Sequence, residues 1–227
     1  MHSFGHIEYD LISAGITRFA GVDEAGRGPL AGPVVAAAVM FDPGVIIEGV
    51  ADSKVLSAIQ RETVAATIRE KAISFGIGIA SHEEIDAINI LQATMLAMRR
   101  AITAMAHAPA FLLVDGNRFV HDGIPFRTVV KGDALCFSIA AASILAKVER
   151  DAIMLRLDER YPQYGFARHK GYPTAAHVAA ISEFGPCEIH RRSFTVKSIS
   201  EQPGIFTDER STGTRTRGRG ARSPASD

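Results

Sequence analysis

Apolar residues gather first in short runs of strand length. Residues 18–23 pass through Phe, Ala and Val into a glycine-rich turn, and residues 33–41 form one continuous apolar run of the kind a buried strand shows. Residues 73–80 alternate Phe and Ile with Gly and other small residues, which predicts a third strand. Between the second and third runs, Ser57 stands at an N-cap position ahead of Ile59, Val64 and Ile68, and the spacing predicts a helix over 57–71. A segment rich in Ala, Leu and Met predicts a longer helix over 89–107, with Pro109 just beyond it. Residues 110–114 and 126–130 are two more strands around a short loop, 134–160 is helical again, and 174–184 predicts a last helix. Three strands and a helix, then strand, loop, strand and further helices, make a mixed α/β domain.

The composition shifts near residue 200. From Glu201 to Asp227 the only large aliphatic or aromatic residues are Ile205 and Phe206, and Gly, Ser, Thr, Pro and Arg fill most of the remainder. Such a segment buries too little apolar surface to offset the entropy of ordering it. The expected organisation is therefore a domain over 1–200 and a disordered Arg/Gly/Ser-rich tail over 201–227. Arg210, Arg215, Arg217, Arg219 and Arg222 leave 20 basic and 21 acidic residues in the body. The whole chain has zero formal charge, which excludes a strongly basic nucleic-acid coat as a global property. Cys136 and Cys187 are too few for a disulfide framework or a thiolate metal site. The first eight residues carry no basic region followed by an apolar one, and no apolar run approaches the ~20 residues that span a bilayer. The expectation is a soluble, cytoplasmic protein without membrane contact.

The acidic residues change the picture more than the composition does. Asp23 and Glu24 end the first apolar strand and lead into Ala25-Gly26-Arg27-Gly28-Pro29. Adjacent carboxylates on a buried strand are costly unless solvated, paired or bound to a cation. Side chains alternate along a strand, so both reach one site only if the backbone bends, which the glycines allow. A dinucleotide fingerprint over Gly26, Gly28 and Ala31 is excluded by context, because the segment opens a strand and not a helix. Asp115 closes a second apolar run and Asp133 follows a third. Either alone is an ordinary Asp-Gly type of turn signal. Together, three strands deliver Asp23, Glu24, Asp115 and Asp133 to what would be one edge of a sheet. Oxygen-only ligands of this kind suit Mg²⁺ or Mn²⁺, and a pair of such ions is a standard device for phosphodiester displacement. Zinc spacing is absent from the histidines and cysteines. Residues 161–174 and 190–194 interleave Arg, Lys and His with Tyr and Phe, and from 161 to 200 five Lys or Arg face two acids. That mixture suits a phosphate backbone with stacking on sugars or bases, although core aromatics beside a solvated loop would read the same.

In this order the pieces resemble the type 2 ribonucleases H, specifically bacterial ribonuclease HII. The resemblance runs from about Gly21 to Lys197 and rests on residues 21–33, Asp52-Ser53-Lys54, Val114-Asp115-Gly116, Lys131-Gly132-Asp133, residues 140–148, Tyr161 to Thr174, and His190-Arg191-Arg192-Ser193-Phe194. It implies a ribonuclease H-like fold, a mixed five-stranded sheet flanked by helices, with a helical C-terminal part that helps grip substrate. It also implies hydrolysis of the RNA strand of RNA–DNA hybrids and incision at ribonucleotides embedded in duplex DNA, leaving 3′-hydroxyl and 5′-phosphate ends. Matched to the family's motifs, Asp23, Glu24, Asp115 and Asp133 are the catalytic, metal-binding carboxylates, served by Mg²⁺ or Mn²⁺, two ions in all. Gly26, Arg27 and Gly28 correspond to the ribose-sensing segment and Tyr172 to the tyrosine that senses the ribo-to-deoxyribo junction.

The physics of recognition agrees. Distinguishing RNA from DNA requires contact with the 2′-hydroxyl, and glycines let backbone groups approach it. Arg27, Lys54 and Lys147 are expected to neutralise phosphates. The expected partners are RNA–DNA hybrid and ribonucleotide-containing DNA, bound by a monomer. Two other classes share parts of this pattern. A non-catalytic hybrid binder would keep the basic stretch but has no use for four acids, and a metal-dependent phosphatase or resolvase would keep the acids but has no use for Gly26–Gly28 and Tyr172.

Overall fold

The computed structural model describes residues 4–50, 56–121 and 123–194. Its centre is a five-stranded sheet in the order β3 (Ser74–Ala80), β2 (Val34–Met40), β1 (Phe19–Ala25), β4 (Phe111–Asp115), β5 (Phe126–Val129). β1, β2 and β3 form an antiparallel meander, whereas β4 and β5 add parallel to β1 on its other side. Every residue of β2 is buried, as its continuous apolar sequence requires of a central strand covered on both faces.

Two long helices supply the cover. α5 (Phe137–Arg160) packs on one face, where Phe19, Val39 and Leu113 meet Ile139, Ala142 and Leu145. α3 (His82–Thr103) packs on the other, where Val22, Ala38 and Leu112 meet Ala97, Met98 and Ala101. Glycines make both approaches close. A Cβ on Gly21 would lie 2.1 Å from the backbone carbon of Ser138, and one on Gly78 would lie 2.0 Å from the carbonyl oxygen of Ala97. Alanine at either position would push a helix off the sheet.

α2 (Ala58–Lys71) begins where Ser57 predicts, with the Ser57 hydroxyl accepting from Gln60 N and the Gln60 side chain accepting from Ser57 N. Three features differ from the sequence reading. α3 starts seven residues before Asn89, because Ser81 and Glu84 form their own capping box; Asn89 then breaks the helix at φ 67° and its Oδ1 caps the second half through Leu91 N and Gln92 N. The predicted 134–160 helix is divided at extended Cys136 into α4 (Gly132–Leu135) and α5.

The third difference is an unpredicted first helix, α1 (His6–Ser13). Its Glu8 is fully buried and accepts from Gly5 N, Phe137 N, Ser138 N and the Ser138 hydroxyl. α5 lacks a capping side chain of its own, so a carboxylate 129 residues away caps it.

The C-terminal part is a separate small core on the far end of α5. Met154 there packs with Leu30, Phe166 and Ile181, and two short helices, α6 (Phe166–His169) and α7 (Ala175–Phe184), close it. The predicted strand segments and the last helix appear where expected. Lys54 and the tail over 201–227 lie outside the described residues.

Candidate active site

β1 and β4 run parallel with Val22 opposite Val114, so the next residues, Asp23 and Asp115, come side by side on neighbouring strands. Asp23 remains within β1, opposite Ala37 of β2, and is only 6% exposed. Burial raises its pKa well above the usual carboxylate range, and repulsion from Glu24 and then Asp115 adds to the rise. The Ser143 hydroxyl of α5 and the Glu24 N–H, 2.7 Å from Asp23 Oδ1, oppose it without cancelling it. Glu24 is also raised, first by burial and then by Asp115, against the pull of the Arg27 guanidinium at 3.2 Å.

Asp115 Oδ1 accepts from Gly132 N at 2.7 Å. The approach at Gly132 is close, since a Cβ there would lie 2.6 Å from Ile139 Cδ1 and 3.2 Å from that same Asp115 oxygen. Lys131, in the left-handed region at φ 57°, turns the chain from β5 into α4 and delivers Asp133 beside the cavity. Electrostatics thus couples Asp23, Glu24 and Asp115, while Asp133 joins Glu24 on the wall of a common cavity of about 410 Å³.

Among the described residues, no three Asp, Glu, His or Cys side chains already converge as a metal cage. Glu24 is drawn toward Arg27 and Asp115 toward Gly132; Glu24 and Asp133 line this cavity, whereas Asp115 lines a neighbouring groove with Glu24. The donor set nevertheless fits a hard divalent cation. It is all oxygen, and the raised pKa values of Asp23 and Glu24 are what carboxylates show where a positive charge would be stabilising.

The opposite wall of the cavity is the Gly26–Gly28 turn with Tyr172 and Lys147. Gly26 sits at φ +97°, and a Cβ there would lie 2.0 Å from Arg150 Nε. A Cβ on Gly28 would meet Tyr172 Cε1 at 3.7 Å, an ordinary van der Waals distance, so the half-exposed tyrosine ring faces the glycine across a gap of about one methyl group. Lys147 is paired with Asp151 one turn along α5, and burial lowers its pKa despite that partner. A second groove of about 310 Å³ lies on the other side of Glu24, between Asp115 and the start of the second half of α3.

A family model described as ribonuclease HII matches residues 20–197, most of the chain. The chain belongs to the ribonuclease HII family. A ribonuclease HII of Geobacter sp. (strain M21) is 53% identical over 209 residues, covering 91% of each chain. That of Laribacter hongkongensis is 61% identical over 180 residues, covering 78% of this chain and 90% of the relative. Among solved structures, the ribonuclease H2 of Pyrococcus horikoshii is 26% identical with a TM-score of 0.68, over 83% of this chain and 97% of the other. The ribonuclease HII from Archaeoglobus fulgidus, solved as a complex with PCNA, is 26% identical with a TM-score of 0.62, over 79% and 96%. As a ribonuclease HII the chain is a hydrolase, an endoribonuclease acting on RNA–DNA hybrids, in a divalent-metal-dependent family. Its mixed sheet with α3 and α5 on either face is the ribonuclease H-like fold. None of its described helices is long and apolar enough to cross a membrane.

The sequence singled out Gly26, Arg27, Gly28, Lys147 and Tyr172, which the fold gathers around one cavity with Glu24 and Asp133. Arg61 and Arg150 were not singled out, and Ser143 and Arg191 stood inside motif segments without a role of their own. Ser143 lies inside an Ala-rich helical run, and the two last arginines act on backbone carbonyls, which no side-chain pattern reveals.

Proposed function

We propose that this cavity hydrolyses the RNA strand of hybrids and also incises duplex DNA at a single embedded ribonucleotide, leaving 3′-hydroxyl and 5′-phosphate ends. The observation that carries the proposal is the Tyr172 ring facing Gly28 across space for one small group, in the same cavity that Glu24 and Asp133 line. A reader of one ribose and a set of phosphate-directed acids occur within one nucleotide's reach.

Asp23, Glu24, Asp115 and Asp133 would hold two divalent ions, Mg²⁺ or Mn²⁺. When bound, such ions supply positive charge to the scissile phosphate and lower the pKa of an attacking water. The protein's part is arrangement. Gly132 N–H fixes one Asp115 oxygen, and the Ser143 hydroxyl and Glu24 N–H hold Asp23 at the bottom of the site. Backbone groups of Gly26–Gly28 reach the 2′-hydroxyl of the ribose, because no Cβ stands at either glycine. The Tyr172 ring packs on the following sugar, which is tolerated as deoxyribose and crowded as ribose. Arg27, exposed at the rim, and Lys147 lie where phosphates of the substrate strand pass. Lys54 is assigned the same role from sequence alone. Residues 1–200 act as the catalytic unit, in the cytoplasm and as a monomer, and 201–227 add charge without chemistry.

The test is cleavage of a DNA duplex carrying one ribonucleotide, in Mg²⁺ and in Mn²⁺, beside the same duplex without it. A nick at the ribonucleotide with the stated ends is expected. Cleavage of long hybrids with no nick at the single ribonucleotide would overturn the proposal.

A further inference from the structure

Behind the Gly26–Gly28 turn stand two arginines, Arg150 of α5 and Arg191 of the C-terminal segment, each 1% exposed. Both donate to backbone carbonyls of one stretch of chain. Arg191 gives Nη2 to Gly26 O at 2.6 Å, Nη1 to Arg27 O at 3.0 Å, Nε to Gly32 O at 2.9 Å, and Nη2 again to Pro33 O at 3.2 Å. Arg150 gives Nε to Pro33 O at 3.0 Å, Nη2 to Ala31 O at 3.2 Å and Nη1 to Lys170 O at 3.0 Å. Its guanidinium also lies 5.9 Å from the centre of the Tyr172 ring. Six of these seven hydrogen bonds hold the 26–33 stretch, and the seventh, from Arg150 to Lys170 O, ties it to the 170–172 turn. Main-chain bonds from Leu30 N to Gly171 O and from Arg191 N to Leu30 O complete the tie.

Burying two like charges this close is expensive, and Arg150 helps burial draw the Arg191 pKa down to about 9, still well above neutrality. If anchoring the segment were the only need, main-chain bonds would serve. The fork does something further. In a trans peptide the C=O and N–H point in opposite directions, and the described residues contain no cis peptide. Drawing the carbonyls of Gly26 and Arg27 inward onto Arg191 turns the N–H groups of Arg27 and Gly28 outward, toward the cavity these residues line. Two consecutive peptide donors are thereby presented at the place assigned above to the ribose.

We propose that Arg150 and Arg191 are positioning residues that orient the Gly26–Gly28 peptides against Tyr172 and so set the preference for ribonucleotide over deoxyribonucleotide. This rests on the ribose-reading role proposed above for that turn. The two residues after Arg191 are held by Asp86 on α3, whose carboxylate accepts from Arg192 N and Ser193 N at 2.9 Å each and from the Ser193 hydroxyl at 2.6 Å. Asp86 thus offers a milder handle on the same device.

The experiment measures kcat and KM on a duplex with one ribonucleotide, together with the inhibition constant of the matching all-DNA duplex as competitor, at fixed salt and Mg²⁺. A lysine keeps the charge of Arg191 but offers one nitrogen in place of the three that together reach Gly26, Arg27, Gly32 and Pro33. For Arg191→Lys we expect KM to rise about tenfold, the magnitude of a lost charge-assisted hydrogen bond, with the inhibition constant of plain DNA unchanged. Arg150→Lys should act likewise and, through Lys170 and Tyr172, penalise the single-ribonucleotide substrate more than a long hybrid. Asp86→Ala should move the same ratio in the same direction, about threefold. A purely structural role would lower the melting temperature and the active fraction but leave that ratio alone. If Arg191→Lys does not fold, Asp86→Ala decides. An unchanged ratio in folded variants overturns the clamp while leaving the ribose-reading turn intact. A wild-type protein that fails to cut the single-ribonucleotide duplex overturns the underlying reading and the clamp with it.

Discussion

The two walls of the cavity hold their charges under opposite conditions. On the sheet side, Asp23 and Glu24 are buried beside Asp115, and their pKa values rise first through burial and then through repulsion between carboxylates. On the C-terminal side, Arg150 and Arg191 are buried as deeply, yet their donors meet carbonyl after carbonyl. One wall is left electrostatically unfinished and is completed by what it binds; the other is completed internally and is rigid for that reason. The site proposed above, which would accept metal and phosphate and measure a single hydroxyl, would use both. Attraction comes from the unfinished side and accuracy from the finished one.

The strongest way to break this contrast is to neutralise the unfinished wall. Asp23→Asn should lower cleavage by at least about 10³-fold, as removal of a charge-stabilising group at a phosphoryl site does. The same change should leave the melting temperature of the metal-free protein unchanged or higher. The sign follows from the raised folded-state pKa of Asp23: folding favours its protonated form, so metal-free stability falls as pH rises through that pKa. Melting the metal-free wild type and variant from pH 4 to 8 should show Asp23→Asn gaining stability relative to the wild type as pH rises. A variant that remains active would remove Asp23 from the metal site.

Tyr172→Ala breaks the other wall at its exposed tip. Single-ribonucleotide cleavage should drop about tenfold more than cleavage of a long hybrid, within the range measured for stacked aromatic contacts. Equal losses on the two substrates, assayed side by side, would reduce Tyr172 to a packing residue.

A smaller effect should come from acid. Beneath Tyr172, the Cys187 N–H donates to His190 Nδ1 at 2.9 Å, the two histidines meet Nε2 to Nε2 at 3.0 Å, and His177 Nδ1 lies 3.0 Å from the Tyr172 carbonyl oxygen. That order of donors is satisfied by two neutral rings, His190 donating to His177 and His177 to Tyr172. Burial lowers both pKa values to about 4. The unfolded chain takes up these protons near pH 6.5, so stability should decline progressively from there down to about pH 4. Denaturant titrations across that range should show the decline, and His190→Gln should flatten it.

The least effect belongs to the tail. Truncation after Ser200 removes Arg210, Arg215, Arg217, Arg219 and Arg222, and each phosphate they neutralise contributes about 0.9 to the slope of log affinity against log salt on duplex DNA. Binding of hybrid and plain duplex should weaken alike at low salt, with turnover at saturation unchanged. Identical slopes for full-length and truncated protein would make the tail a bystander.

What the sequence made legible follows the same division. The sheet side could be read because strands announce themselves locally. The apolar stretch of β2, the capping Ser57 and the four acids each stand out within a few residues. The C-terminal side could be read only as a basic and aromatic mixture, because its bonds span up to 165 residues and end on the backbone. Three histidines that looked scattered, His169, His177 and His190, prove to be one buried group, with His169 stacked on His177 at 4.4 Å. Asn89 looked like an ordinary helix start and is one, but the helix before it, capped by Ser81, was hidden by a left-handed residue that reads like any other asparagine.

The Glu8 contact bears on where the working unit begins. The family's shared stretch opens at residue 20, but the donors at the head of α5 are satisfied by a carboxylate twelve residues upstream of it. Six residues into that helix, Ser143 holds Asp23. A protein trimmed to the recognisable family region would keep every candidate catalytic group and lose the foundation beneath one of them. The family-model match marks the chemistry here, and a contact that supports it lies outside the matched residues.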